Sequence, residues 1–453
     1  MSISDHPRAY GTAALTLAFL AGISLTLGFK DLYPDLERRY QRHRRRRQHS
    51  RRPSTDTTAT PDGRPRRDSL FFSSVPLLLE DRESTSSEST ERTHIADGIE
   101  GCIGNTPLIK IKSLSAATGR TILAKAEFLN GAGMSPKDRV ALGIIRYGEE
   151  QGLLVPGRGD TIYEGTVGST GISIATLARA MGYRAHICMP DDQSREKSDL
   201  LLHLGAAVER VPVAPITDPG HFVNLARTRA QEHAATSKDG SRGFFADQFE
   251  IEANFRAHLA TTGPEIFQQT GGLLDAFVAG AGTGGTISGV AKHLKEEVKM
   301  PGIQIVLADP QGSGLYNKVR HGVMYSSTEK EGTRRRRQVD TIVEGVGINR
   351  ITHNFEAGRE LIDDAVKVTD EQAAAMARWL VEKDGIFVGS SSAVNCVAAV
   401  VTAMKLEPES RVVTLLCDSG TRHLSKFWKS IGEMGLEKGE TENLFTALGI
   451  EEK

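Results

Sequence analysis

From about Ile99 onward, short apolar runs alternate with longer stretches whose apolar residues recur every three or four positions. "TPLIKI", "TILAKAEF", "TIYEG", "RAHICMP", "AAVERVPV", "LDAFVAGAG", "IQIVLADP", "AVKVTD" and "RVVTLLC" are short and are bounded by turn-forming residues, so they predict strands. "TGISIATLARAMG", "REKSDLLLHLG", "TISGVAKHLKEEV", "EQAAAMARWLVEKDG" and the run after Lys137 carry helical spacing. Such alternation predicts an α/β protein with parallel strands and helical crossovers. There are enough strands for two sheets, so the pattern predicts two α/β domains with a cleft between them, the smaller spanning roughly 140–245. The polar, Arg-rich stretch Gln311–Gln338 predicts a surface insertion near that cleft.

The first 98 residues have a different texture. Gly11–Phe29 is free of charge and long enough to cross a bilayer, and "RRYQRHRRRRQHSRR" follows it. Apolar first and basic second predicts a single-pass anchor with its C-terminal flank in the cytosol; a cleaved targeting segment is the alternative. Arg51–Arg92, rich in Ser, Thr, Asp, Arg and Pro, predicts a disordered tether, and 436–453 a C-terminal tail.

Length and charge narrow the function classes. A chain of 453 residues is too long for one ordinary domain, and a formal net charge of −1 gives no global field to recruit nucleic acid. Four cysteines are scattered without CxxC or Cys/His ligand spacing, which argues against a disulfide framework or a metal centre and for a reducing compartment. Cys188 and Cys417 sit in strand-like runs, where small buried filler is the ordinary role.

Candidate chemistry gathers in loops that follow strands, where open α/β sheets hold ligands. "AGAGTGGTISG" (Ala279–Gly289) can turn backbone N–H groups onto a compact anion at a helix N-terminus. It lacks the GKS/GKT of a nucleotide P-loop, and a tight strand–helix turn is its plain reading. "EGTVGSTGIS" (Glu164–Ser173) offers hydroxyls at Thr166, Ser169 and Thr170 beside glycines, which suits a carboxylate or a capped helix start. "LLCDSGTRHLSK" places Asp418 and Ser419 after a strand, where Ser419 could meet a ring nitrogen. In "NGAGMSPKDRVALGII", Ser135 suits a helix cap, Pro136 a first helical position and Asp138 the positive end of the dipole. Lys137 has the wrong sign for that position. A lysine that must lose its charge to attack an aldehyde is helped by such a position. Lysine, phosphate cradle, carboxylate loop and ring-nitrogen serine together meet the needs of a pyridoxal-phosphate enzyme.

At these residues the chain resembles the fold-type II pyridoxal-phosphate family that includes O-acetylserine sulfhydrylase (cysteine synthase) and cystathionine beta-synthase. "IEGCIGNTPLIKI", "SPKDR", "GSTGIS", "QFE", "TTGPEI", "GTGGTISG", "GIFVGSSSA" and "CDSG" carry the likeness across 99–435. The N-terminal segment looks most like the fungal mitochondrial branch. The resemblance implies two three-layer α/β domains of tryptophan-synthase-beta type, a homodimer, a mitochondrial outer-membrane location and conversion of O-acetylserine and sulfide to cysteine and acetate. It also implies Lys137 as the Schiff-base lysine and general base. Gly282, Thr283, Gly284, Gly285 and Thr286 would hold the phosphate, and Ser419 would face the pyridine nitrogen. Thr166, Gly168, Thr170 and Gln248 would bind the substrate carboxylate, and Ser169 would stand where an asparagine usually meets the ring hydroxyl.

The lysine loop departs from the family's usual N-P-G-G-S-V-K-D-R, and "TVGSTG" departs from T-S-G-N-T-G at Val167 and Ser169. Both departures bear on substrate and activity more than on cofactor. A serine/threonine dehydratase or other beta-lyase, and a cofactor-binding membrane scaffold of low activity, are the competing readings.

Overall fold

The computed structural model describes residues 95–193, 195–300, 302–324, 341–436 and 443–451. Its strands are β1 (Leu108–Lys110), β2 (Thr121–Ala126), β3 (Thr161–Gly165), β4 (Arg184–Pro190), β5 (Ala207–Val211), β6 (Gly243–Phe245), β7 (Ala276–Gly280), β8 (Gln304–Pro310), β9 (Asp364–Val368) and β10 (Arg411–Leu416). They form a six-stranded sheet ordered β1-β2-β10-β7-β8-β9 and a four-stranded sheet ordered β5-β4-β3-β6. Pairing is parallel except between β1 and β2, which run antiparallel (Leu108 opposite Lys125). The all-parallel expectation is corrected there, because the crossover rule needs a longer connection than the short helix Lys112–Thr118 provides.

Helices cover both faces of each sheet, as alternation along a strand demands. In β7, Ala276 and Val278 face one way and pack with Ala377, Leu380, Val397 and Val400 from the helices Asp370–Asp384 and Ser390–Met404. Phe277 and Ala279 face the other way, onto Ile287 and Val290 of the helix Gly285–Lys292. The four-stranded sheet sets Ile162 and Ile187 against Ile144 and Ile174, while Cys188 and Val211 meet Phe222 and Ala226 from the opposite side. Each large apolar side chain buried this way contributes about 1.5–3 kcal/mol.

Several elements differ from the sequence reading. The helix Ser390–Met404 is buried on nearly every side and has no polar face to print a helical period. The helix Phe222–Thr236 and the short β6 also escaped it. The stretch expected to be a C-terminal tail includes a helix, Leu444–Leu448, whose Leu444, Phe445 and Leu448 enter the core of the large sheet. The expected insertion begins with the helix Leu315–His321, anchored by fully buried Leu315, and 325–340 lie outside the described residues. Gly11–Phe29 and the basic run also lie outside them, and among the described residues no helix is long and apolar enough to cross a membrane.

Candidate functional site

The loop before Lys137 is held from below. Asn130 accepts from Gly104 N (2.9 Å) and donates to Glu127 Oε2 (3.0 Å) and to the Ser135 carbonyl (3.2 Å). The helix Lys137–Glu150 starts one residue later than its sequence suggests. Pro136 precedes it, and Ser135 Oγ accepts from Lys137 N at 3.3 Å. Asp138 turns back rather than serving the dipole alone: it accepts from Ala132 N (3.2 Å), Gly133 N (2.7 Å) and Ser173 Oγ (2.6 Å). Burial raises its carboxyl above the usual range, and those donors limit the rise.

Arg139, next along, enters a buried ion network. Its Nε and Nη2 meet Glu127 at 2.8 Å each, Nη1 and Nη2 meet Glu265 at 2.7 and 2.9 Å, and Lys125 Nζ meets Glu265 at 2.6 Å. Burial works against the charge on Glu127, but Arg139 outweighs it and holds the carboxyl below its ordinary value. Lys137 is thus followed on its helix by two buried anchors, Asp138 tied to the preceding loop and Arg139 to Glu127 and Glu265.

The Gly-rich loop closes off β7. Gly284 has φ +86°, a left-handed conformation that favours glycine, and Gly285 begins the helix. A Cβ on Gly282 would come within 2.6 Å of the Gly345 carbonyl, on Gly284 within 2.5 Å of Phe355 Cα, and on Gly285 within 2.0 Å of Asn254 Oδ1. Thr283 Oγ1 accepts from Asn254 Nδ2 (3.0 Å), and its carbonyl accepts from Thr352 Oγ1 (2.7 Å). Thr286 Oγ1 lies 3.1 Å from His258 Nε2, whose other nitrogen is 2.8 Å from Thr262 Oγ1. Burial first, then the charges of Arg139 and Lys137, keep His258 neutral.

The Thr166–Thr170 loop leaves β3 and enters the helix Ser169–Ala180. Thr166 is buried with its N–H on the Cys188 carbonyl (3.0 Å), whereas Val167 is 39% exposed. Gly168 N approaches Thr166 Oγ1 at 3.4 Å. Thr170 Oγ1 donates to Gln248 Oε1 (2.6 Å), and Gln248 Nε2 donates to Glu164 Oε1 (3.0 Å). Asn254 joins this loop to the Gly-rich one, since its Nδ2 also reaches the Gln248 carbonyl (2.7 Å).

Beyond β10, Asp418 accepts from His423 Nε2 (3.0 Å) and from Ser169 Oγ (3.4 Å), while its Oδ1 is buried without a partner. Burial opposes its ionisation, yet His423, Arg422 and Lys137 hold its carboxyl below the usual range. Ser419 Oγ accepts from Thr421 N (3.3 Å) and Thr421 Oγ1 (3.0 Å). Hydrogen bonds therefore link Thr170, Gln248 and, through Asn254, Thr283; Ser169 reaches Asp418, and the charge of Lys137 reaches both His258 and Asp418. Among the described residues, Ser419 joins them through its neighbour Asp418. Sequence reading missed Asn254, His258, Glu164 and the Asp418–His423 pair; "QFE" and "TTGPEI" flank the first two and were the available signal.

Strand pairing also brings His186, Cys188 and Glu209 within 4.8 Å of one another, an arrangement that linear ligand spacing cannot show. Arg229 occupies both oxygens of Glu209 (3.1 and 2.9 Å), and burial pushes the Cys188 thiol up to about 12. Glu209 is thus paired with Arg229, with His186 Nε2 at 3.2 Å and a neutral thiol beside it.

Residues 99–418 match the family model described as "Pyridoxal-phosphate dependent enzyme". The chain belongs to that pyridoxal-phosphate dependent family. Among relatives, it is 70% identical to "Cysteine synthase 2" of Neurospora crassa over 100% of this chain and 99% of that one. It is 58% identical, over 75% of this chain and 85% of the other, to a Saccharomyces cerevisiae protein named provisionally as a mitochondrial cysteine synthase. Among solved structures, O-ureido-L-serine synthase matches with a TM-score of 0.64 at 28% identity, covering 78% of this chain and all of that one. The residues fit the family's cofactor: a loop whose glycines leave no room for a Cβ opens a helix, and, among the described residues, Asn254 Oδ1 is buried against Gly285 without a hydrogen-bond partner.

Proposed function

We propose that the chain is a pyridoxal-phosphate-dependent cysteine synthase that converts O-acetyl-L-serine and sulfide to L-cysteine and acetate. The observation that carries this reading is the convergence of the lysine helix, the Gly-rich loop and the Thr166–Thr170 loop, in a chain 70% identical to a protein named cysteine synthase.

Gly282, Thr283, Gly284, Gly285 and Thr286 would hold the cofactor's phosphate at the start of the helix Gly285–Lys292. Ser419 would face the ring nitrogen and Ser169 the ring hydroxyl. A serine at the nitrogen leaves it unprotonated, which suits elimination and replacement at Cβ over transamination. When bound, the cofactor supplies the electron sink for charge that develops at Cα. Thr166, Gly168, Thr170 and Gln248 grip the substrate carboxylate and so fix which Cα bond faces Lys137. Lys137 takes the Cα proton as the Cβ–O bond to acetate breaks. Hydrosulfide then forms the new Cβ–S bond, and Lys137 returns a proton to Cα. The division into 1–98, 99–435 and 436–453, with a small domain near 140–245, and the homodimer belong to the same reading.

A mitochondrial location is supported by the name of the yeast relative. The anchor is inferred from the order of apolar and basic segments, and the outer membrane from the family resemblance. Removing residues 1–30 should release the protein from membranes with catalysis intact. Protease added to intact mitochondria should digest the catalytic region; full protection would point to an imported, processed enzyme.

The decisive experiment is Lys137→Ala. Purified variant should show no visible absorption from bound cofactor and no turnover of O-acetylserine with sulfide. A coloured and active variant would exclude the assignment of Lys137. If water ends the cycle in place of sulfide, pyruvate and ammonia would form, and their absence in the presence of sulfide separates synthase from lyase.

A further inference from the structure

We propose that Glu164 sets the direction of the Glu164–Gln248–Thr170 hydrogen-bond chain and so decides whether Thr170 can donate to the substrate's carboxylate. The proposal rests on the carboxylate grip described above.

Glu164 is the last residue but one of β3, just before the loop, and is fully buried. Its Oε1 meets Gln248 Nε2 at 3.0 Å, its Oε2 meets Gln248 N at 3.3 Å, and Gln248 Oε1 meets Thr170 Oγ1 at 2.6 Å. An ionised carboxylate only accepts, so Gln248 must offer it the amide nitrogen and offer Thr170 the oxygen. In that arrangement the single Thr170 proton is taken by Gln248, and Thr170 presents only lone pairs to an incoming anion. A protonated Glu164 donates instead. The Gln248 amide can turn over with nearly no change of shape, because its oxygen and nitrogen are close in size. Gln248 Nε2 then donates to Thr170 Oγ1, and the Thr170 hydroxyl proton is free to bind a carboxylate. The Gln248 backbone stays fixed throughout, since its carbonyl accepts from Asn254 (2.7 Å) and Asn354 (3.2 Å).

The surroundings favour the proton. No ion pair reaches Glu164 among the described residues, and the facing groups are few. Asp247, of like charge, lies on the segment after β6 and is itself paired with Arg227 (3.3 Å) from the helix Phe222–Thr236. Cys188 on β4 is a neutral thiol, and the Glu250–Arg350 pair stands behind Asp247. Burial, with Asp247 second, pushes the Glu164 carboxyl up to about 8. Carboxylate affinity should therefore be full below that value and fall as pH rises through it.

Propionate is the probe, because it has no amine and its own titration is complete well below neutral pH. Its calorimetric dissociation constant on the cofactor-loaded full chain should be level from pH 6 to 7 and weaken about tenfold by pH 9, one unit above the Glu164 value. Glu164→Gln donates from its amide at every pH, so its affinity should stay tight and level. Identical pH profiles for wild type and Glu164→Gln would overturn the proposal. Should that variant fail to fold, Asp247→Asn asks the same question: the loss should move to lower pH, and an unmoved midpoint would overturn the proposal. Thr170→Val separates the two readings. Unchanged propionate affinity at pH 7 would remove Thr170 from the carboxylate grip and take this proposal with it. Weakened affinity combined with identical wild-type and Glu164→Gln profiles would leave the grip standing and overturn the proton-set direction alone.

Discussion

Glu127, behind the lysine, and Glu164, behind the substrate loop, are both carboxyls with 0% exposure. Their charges differ because their partners differ. Arg139 meets Glu127 through two nitrogens at 2.8 Å, and its charge keeps the carboxyl below its ordinary value against the penalty of burial. Glu164 has only amide donors, so burial prevails and the carboxyl rises to about 8. Burial fixes how much is at stake, and the neighbour fixes the sign. The lysine side is therefore a locked scaffold, whereas the substrate side keeps a group that can gain or lose a proton within the working pH range.

The sharpest way to break this contrast is to give Glu127 the surroundings of Glu164. Arg139→Met leaves a buried carboxylate without its cation, and such removals cost about 3–5 kcal/mol. The pH dependence should also reverse. In the wild type, the depressed Glu127 value contributes stability that is present above its unfolded pKa of about 4.3 and is lost as pH falls through the folded value. Without Arg139, burial would outweigh the remaining pull of Thr106 and Lys125 and raise Glu127, and stability would fall as pH rises. Thermal midpoints at pH 5, 7 and 9 check this, and a variant that keeps the wild-type slope would show that the ion network is not what holds Glu127 charged.

A comparable effect is expected at Glu164. Its folded pKa is raised, so its contribution is fully present below the unfolded value of about 4.3 and is lost as pH rises through about 8. Between pH 5 and about 8 the swing is on the order of 4 kcal/mol at about 1.4 kcal/mol per unit. Glu164→Gln should remove the slope, leaving the variant more stable than wild type at pH 9 than at pH 5. Parallel stability curves would mean that Glu164 already ionises inside the fold.

The two glutamates also show what the sequence could and could not disclose. Lys137, the Gly-rich loop and the hydroxyl loop were legible because their chemistry is written in consecutive residues between strand and helix. Glu164 opens "EGTVGSTGIS" at the end of a strand, but no role can be read for it there, since its meaning depends on Gln248, 84 positions away. Arg139 likewise acquires its role from Glu265, 126 positions on. Among elements, those with a polar face left a period to follow. The helix Ser390–Met404 left none, and the antiparallel direction of β1 is invisible in a run that reads the same either way.

The smallest predicted change touches the adjustable side without disturbing either glutamate. Val167 is 39% exposed at the tip of the substrate loop, and Ser169 Oγ makes a long bond, 3.4 Å, to Asp418 Oδ2. Neither side chain supports the core, so Val167→Ser with Ser169→Asn should move stability by no more than about 0.5 kcal/mol. The serine adds a donor for the substrate carboxylate. The asparagine keeps an N–H for Asp418 and reaches further toward the ring hydroxyl. Each added hydrogen bond contributes about 0.5–1.5 kcal/mol, so kcat/KM for O-acetylserine should rise severalfold, with most of the Val167→Ser gain in KM. Steady-state kinetics on the two single variants and the double variant would separate these contributions. Unchanged or reduced kcat/KM at equal stability would show that the loop is matched to a different substrate or acceptor, and that the freedom on this side of the site has been used for specificity.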